Sequence, residues 1–105
     1  MQLTVKERLL LLKALPREGD LFSLRIVRKL REELSFSEGE LTTLAVRQDG
    51  ARVVWNPKAD YGKEVGVGPR ATEVISRALQ ALSDRGALNE DWLSLCDKFM
   101  PEGSE

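Results

Sequence analysis

The spacing of hydrophobic residues changes twice along this chain, and the two changes limit the folds open to it. Up to about residue 44 the apolar residues recur at helical spacing, as Leu24, Val27 and Leu30 do. From Leu44 the runs LAVRQ and ARVVW have the β-rich composition of strands, and after Pro69 the helical spacing returns. This order of helices, strands and helices predicts an α+β fold.

Length and composition indicate one domain that folds in water. The chain has 105 residues, with no internal repeat and no long linker, which suits a single core. Hydrophobic residues make up 42% and charged residues 31%, too apolar for a disordered chain and too charged for a membrane protein. We therefore expect one domain over residues 1–105, with a frayed tail over 101–105, a cytoplasmic location and no membrane contact.

Local signals mark where the first helices begin. Thr4 and Glu7 have the spacing of a capping box, in which each side chain accepts a hydrogen bond from a free backbone amide of the first turn. Ser37 and Glu40 repeat this spacing, and Asp20 is a suitable N-cap between the two. The sequence thus predicts an N-terminal helical pair followed by a short third helix.

The centre of the chain predicts a small sheet. Asp49-Gly50 separates two β-rich runs, and this dipeptide is a strong hairpin signal because it readily adopts positive φ. The later run KEVGVG supplies a further strand, so we expect either a central β-hairpin or a three-stranded antiparallel meander. Because so small a sheet is not stable alone, we expect helices to cover one face, with Val54, Val65 and Val67 pointing inward.

Two further helices are predicted at the C-terminus. Gly68 and Pro69 suit a helix start, and Gly86 suits the end of the same helix. A last helix is expected to begin at Leu88 or Asn89 and to stop at Pro101.

The inventory of reactive side chains argues against catalysis. The chain has no histidine, which removes Ser/His and Cys/His nucleophile pairs and His-based metal sites. The single cysteine, Cys96, lies in an apolar pattern that suits packing. Neighbouring acids such as Glu32 and Glu33 face different sides of a helix and do not form an acid–base pair. We predict a protein that is not an enzyme, with no catalytic residue, no cofactor and no metal.

Two groups of residues are candidates for a protein interface. Four consecutive leucines, at 9–12, cover more than one side of the first helix, so Leu10 or Leu11 is expected to contact a partner. One expected form of this contact is a homodimer, in which the partner is a second copy of the chain. The alternative is that Trp92 and Phe99 of the last helix cover these leucines in a monomer. Near the hairpin, Trp55 and Tyr61 flank a loop, and the two expectations for Trp55 are an interface and core packing. The favoured partner is another protein.

The alternative partner is nucleic acid. The order of elements allows a winged-helix-like DNA-binding regulator with the hairpin as its wing. The cations that would contact phosphates are Arg25, Arg28, Lys29 and Arg31 on the second helix with Arg47 and Arg52 on the hairpin. The net charge of −1 makes this partner less favoured, since nucleic-acid binding depends on an excess of Lys and Arg.

Several stretches together resemble small uncharacterised bacteriophage and prophage proteins. They are LTVKERLLLLKALPREGDLFSLRIVRKLREELSFSEGEL, the VVWN at the end of the second β-rich run, and ATEVISRALQALSDRGALNEDWLSLCDKF. The likeness is one of overall pattern over most of the chain and contains no catalytic or ligand-binding motif. It implies a non-catalytic phage-type accessory protein that binds or inhibits a host or phage protein.

Overall fold

A computed structural model describes residues 1–100, and in this range the chain forms five α-helices and two small antiparallel sheets. The elements in chain order are β1 (Gln2–Leu3), α1 (Val5–Ala14), α2 (Leu21–Leu34), α3 (Glu38–Leu44), β2 (Arg47–Asp49), β3 (Arg52–Val54), β4 (Lys63–Glu64), α4 (Pro69–Asp84) and α5 (Leu93–Phe99). Short 3-10 helices, Pro57–Ala59 and Glu90–Trp92, precede β4 and α5. The α+β prediction is confirmed, whereas the tail over 101–105 and the stop at Pro101 lie outside the described residues.

The predicted caps determine where the helices begin. The Thr4 hydroxyl accepts from the Glu7 amide at 3.2 Å, and the Glu7 carboxylate accepts from the Thr4 amide at 2.9 Å. The same reciprocal pair joins Ser37 and Glu40, and Asp20 caps α2. Each bond satisfies an amide that the helix cannot pair itself, so sequence spacing alone was enough to locate these ends.

The hairpin forms where it was predicted, but it stays two-stranded. In β2 and β3, Arg47 pairs with Val54 and Asp49 with Arg52, and Gly50 turns the chain at φ 64°. The run KEVGVG does not join them. Its strand β4 pairs with β1 instead, so the prediction of a three-stranded meander is wrong. Strand β4 finds its partner far away in the sequence, because it pairs with β1 at the start of the described chain. Just after β4, the Val65 carbonyl accepts a hydrogen bond from the Met1 amino group.

The hairpin is also less covered than expected. All its strand residues are exposed except Val54, which is half-buried, so the expectation that helices cover one face is wrong. The hairpin is held at its base, where the Asn56 amide donates to the Leu44 carbonyl at 2.7 Å. Val65 is fully buried and Val67 packs partly buried against the core, as predicted, whereas Val54 is not part of that core.

The core lies between α1, α2, α4, α5 and the β1–β4 sheet. Its members are Leu3, Leu11, Leu15, Val27, Leu30, Leu34, Val65, Ile75, Leu79, Trp92, Leu95 and Phe99. Burial of such side chains is the main favourable term in folding. Trp92 and Phe99 thus share one core with Leu11, which is the arrangement expected if the last helix covers the leucines of the first.

The first of the two C-terminal helices begins as the sequence predicts, whereas α5 begins at Leu93 and not at the predicted Leu88 or Asn89, because a 3-10 turn comes first. Gly68 is the N-cap residue of α4 and Pro69 is its first residue, while Gly86 has a φ of 65° just after the helix end. The Asn89 side chain accepts from the Asp91 amide and starts the 3-10 turn that leads into α5. None of the helices in residues 1–100 is both long and apolar enough to cross a lipid bilayer.

Candidate functional site

The longest two helices, α2 and α4, pack side by side and leave a groove along one side of their contact. One end of this α2–α4 groove has a volume of about 390 Å³ and is lined by Ile26, Leu30 and Ala71, among others. The other end, of about 400 Å³, is lined by Val74, Ala78, Ala81 and Leu82 together with polar residues. A third depression shares Ile26 with the first and Val74 with the second, so the groove is continuous. Its floor is largely aliphatic.

One large hydrophobic residue, Phe22, lies at the side of the α2–α4 groove, and the exposed Leu21 precedes it on α2. Leu21 is 65% exposed and Phe22 is 54% exposed, and Phe22 lines the depression that joins the two ends. The Arg70 guanidinium lies 4.8 Å from the centre of the Phe22 ring, which orients the ring beside the groove. Exposed apolar side chains next to an apolar groove are typical of a binding surface.

Charges around the α2–α4 groove are of both signs. Arg77 pairs with Glu73 at 2.5 Å, and Asp20 is already engaged by Ser23 as the cap of α2. The remaining charged lining residues are Glu18, Lys29, Glu33, Arg70 and Arg85. Because cations and carboxylates alternate, affinity for a partner would come from the apolar floor, while the charges would set its orientation.

Sequence reasoning did not identify Leu21 and Phe22. The helical stripe through Leu24, Val27 and Leu30 attracts attention because its regular spacing marks the core-facing side of α2. The available signal was that Leu21 and Phe22 lie directly after the Asp20 cap and are larger and more apolar than a solvated first turn requires.

The residues that the sequence predicted for a protein interface do not come together. Leu11 is 1% exposed and belongs to the core, so the expectation that it is free to meet a partner is wrong, and Leu10 is half-buried against the same core. Leu11 faces inward because the buried side of α1 carries Val5, Arg8 and Leu11, at the three-residue spacing of one helix face. Tyr61 is 88% exposed, whereas Trp55 is half-buried; neither lines the α2–α4 groove.

The cations proposed for nucleic acid are spread over separate surfaces. Lys29 lines the α2–α4 groove, while Arg28 and Arg31 lie on the opposite side of α2, next to the end of α1. Arg25 is exposed between them, and Arg47 and Arg52 are on the exposed hairpin. Arg31 also donates to the Leu12 and Leu15 carbonyls at 3.5 and 3.3 Å. No single basic face therefore unites helix and hairpin in the way a winged helix uses them.

The groups with shifted pKa values are those of structural contacts. The Arg8 guanidinium lowers the pKa of Glu40 to about 2, and the Ser23 contacts lower the pKa of Asp20. Burial raises the pKa of Glu7, but the bonds from Lys98, Thr4 and Ser94 outweigh it, so the net pKa is lowered. These carboxylates are therefore charged at neutral pH and act as acceptors, not as proton-exchanging groups.

Two further kinds of chemistry, a reactive thiol and a bound metal ion, were checked against the structure of residues 1–100. Burial and then the Asp97 charge raise the pKa of the Cys96 thiol, and a raised pKa keeps the thiol protonated and weakly nucleophilic. In residues 1–100, no three His, Cys, Asp or Glu side chains lie close enough together to hold a metal ion.

Comparison with models of known protein families, with curated protein sequences and with solved structures finds no match to this chain. What the protein does must therefore be inferred from its own surface, on which the α2–α4 groove with the exposed Phe22 is an apolar site formed by residues 1–100.

Proposed function

We propose that this chain is a non-catalytic binding protein that acts by contact with another protein, and that the α2–α4 groove is its docking surface. The observation that carries the proposal is Phe22, which is 54% exposed and lines the depression that joins the two ends of an aliphatic groove. Aromatic and aliphatic anchors next to a pocket account for most of the binding energy in many interfaces. Following the phage-like sequence pattern, we propose an accessory protein that binds or inhibits a host or phage protein in the cytoplasm.

The shape of the groove favours a helix as the bound segment. The groove follows α4, which has 16 residues and so is about 24 Å long at 1.5 Å per residue. A third helix can lie along the contact of two others when its apolar side chains fit between theirs. The mixed charges at the rim suit a partner helix whose polar face also carries both signs.

The experiment replaces Phe22 by a photo-crosslinking residue in the full chain and identifies crosslinked proteins in lysate of the source cell. A matched position is Leu93, which is 59% exposed on α5 and lies outside the groove. Capture of one protein from position 22, its loss in an Ile26→Glu variant and its absence from position 93 would support the proposal. The same set of proteins from positions 22 and 93 would overturn it.

A homodimer is the simplest form of such an interaction, and sedimentation of the wild type tests it. Leu11 is in the core, so the self-contact would use Leu21 and Phe22 instead. A dimer at tens of micromolar that becomes a folded monomer in Phe22→Glu would identify the partner as a second copy. A monomeric wild type would leave a different protein as the partner.

A winged-helix-like DNA-binding regulator is the second candidate. The observation in its favour is that Arg47 and Arg52 lie on a hairpin with both faces exposed, as the wing of such a protein would be. Several phosphate contacts would make affinity for duplex DNA fall steeply as salt rises, and Arg47→Gln and Arg52→Gln would reduce that slope. Absence of binding at low salt would eliminate this candidate.

A further inference from the structure

We propose that a second site, on the opposite side of α2 from the groove, binds a phosphate monoester. This arginine pocket is lined by Pro16, Arg17, Leu24, Val27, Arg28 and Arg31, and its volume is about 430 Å³. Three of its six lining residues are arginines, and none is a carboxylate. The site is independent of the proposed docking function, because it shares no α2 residue with the α2–α4 groove.

One of the three arginines of this pocket, Arg31, is held in place by backbone carbonyls, and the other two are exposed beside it. Arg28 and Arg31 are three residues apart on α2 and so lie on the same face of the helix. Arg31 is fixed by its two bonds to carbonyls at the end of α1, which use only part of its five N–H donors. Arg17 joins them from the connection between α1 and α2.

Positive charge in the pocket is not neutralised by neighbouring acids. None of the three arginines forms a salt bridge with a carboxylate of residues 1–100, although Glu32 lies four positions after Arg28. The acids of the α1–α2 connection, Glu18 and Asp20, line the α2–α4 groove instead. An anion entering the arginine pocket would therefore meet cations over an apolar floor.

The chemistry of three guanidinium groups that line one depression selects the ligand. A planar guanidinium donates two parallel N–H bonds to phosphate oxygens, and several such groups favour a doubly charged anion over a singly charged one. A phosphate monoester carries close to two negative charges at neutral pH, whereas a carboxylate or a phosphodiester carries one. A single phosphate group also fits this open depression better than a polynucleotide backbone does, because a polynucleotide requires a row of cations and this protein has a net charge of −1.

The test titrates the full chain separately with phosphoserine, 5′-AMP, inorganic phosphate and a short duplex DNA at constant ionic strength and follows backbone and arginine Nε signals by NMR. We expect saturable shifts at the arginine pocket with a dissociation constant on the order of 1 mM, at least fivefold weaker in Arg17→Gln and Arg28→Gln. Arg25→Gln is the matched control, since Arg25 is exposed on α2 but outside the pocket, and it should change the constant less than twofold.

The outcomes separate the sources of the phosphate group. Tighter binding of phosphoserine would indicate a phosphorylated protein, tighter binding of 5′-AMP would indicate a nucleotide, and both would support a monoester site. The proposal is overturned if no monoester gives a saturable shift, or if Arg25→Gln weakens binding as much as Arg28→Gln does. It is also overturned if only duplex DNA binds, since that would assign these arginines to a phosphodiester backbone. Failure here leaves the α2–α4 groove proposal unaffected.

Discussion

Arg8 of α1 and Glu40 of α3 form a two-bond ion pair, with Nη1–Oε2 at 2.6 Å and Nη2–Oε1 at 3.2 Å. Arg8 is only 2% exposed, and its other donors reach the Leu34 carbonyl at 3.1 Å and the Ser35 carbonyl at 2.7 Å. The Phe36 ring lies 3.8 Å from the guanidinium carbon. One side chain therefore fixes the first helix to the turn between the second and third.

Removal of this guanidinium should be strongly destabilising. In Arg8→Ala, the partly buried Glu40 carboxylate and two carbonyls lose their donor, and such a loss costs roughly 2–4 kcal/mol of unfolding free energy. Arg77→Ala is the control, because its pair with Glu73 is 78% and 59% exposed and should change stability by less than about 1 kcal/mol. Urea unfolding measures both. A loss below 1 kcal/mol for Arg8→Ala would contradict the structural role.

Stability should fall in acid because of Glu40. The Arg8 hydrogen bond lowers the pKa of this carboxyl from 4.5 to about 2 in the folded chain. A lowered folded pKa stabilises the protein above pH 4.5, and this contribution, on the order of 3 kcal/mol, is lost as pH falls toward 2. Urea unfolding between pH 6 and pH 2 should show the loss, and Glu40→Gln should show a flatter pH dependence. An unchanged dependence in Glu40→Gln would refute this.

Lys98 should matter more than other surface lysines. Its ammonium group donates to the Glu7 carboxylate and to the Gln2 carbonyl, both at 2.7 Å, and so joins α5 to the N-terminal segment. Glu7 is 3% exposed, so Lys98→Met should raise its pKa and reduce stability by about 1–3 kcal/mol. Lys6→Met is the matched control: its pair with Asp91 is about half exposed and should contribute less than about 1 kcal/mol. Equal effects in the two variants would count against this prediction.

Replacement of Ala45 by glycine should raise the stability of the protein. It ends α3 with φ 53° and ψ 45°, a left-handed conformation that a Cβ atom disfavours. Ala45→Gly should therefore stabilise the protein by roughly 0.5–1 kcal/mol, as expected for relief of strain at a helix end. Ala81→Gly, inside α4, should instead destabilise it by about 1 kcal/mol, and thermal unfolding distinguishes the signs.

The hairpin should open more easily than the core. Its strands bury no apolar face, and a two-stranded hairpin is marginal by itself. In native-state hydrogen exchange, the cross-strand amides of β2 and β3 should exchange much faster than the amides of Ile75 and Leu79, which are within α4 and buried. Equal protection would show that the hairpin is part of the same cooperative unit as the helices.

The sequence predicted only part of the arginine pocket and did not predict the α2–α4 groove. The patterns named Arg28 and Arg31 as phosphate contacts but grouped them with Lys29, which the structure places on the other side of α2. Arg17 joined them only through the turn between helices. Phe22 falls outside the stripe that predicts the core, and only the packing of α2 on α4 creates the groove next to it.

The sequence by itself determined the starts of the helices and the hairpin turn. The capping pairs Thr4–Glu7 and Ser37–Glu40 span three residues, and the Gly50 turn depends on its own φ, so these features form from local interactions alone. Only the tertiary structure decided that β4 pairs with β1, across more than 60 positions from Gln2 to Glu64, and that Arg8 is buried. Both features depend on which distant groups can form hydrogen bonds with a strand backbone or pair with a buried charge after the core has formed. No local sequence pattern contains that information.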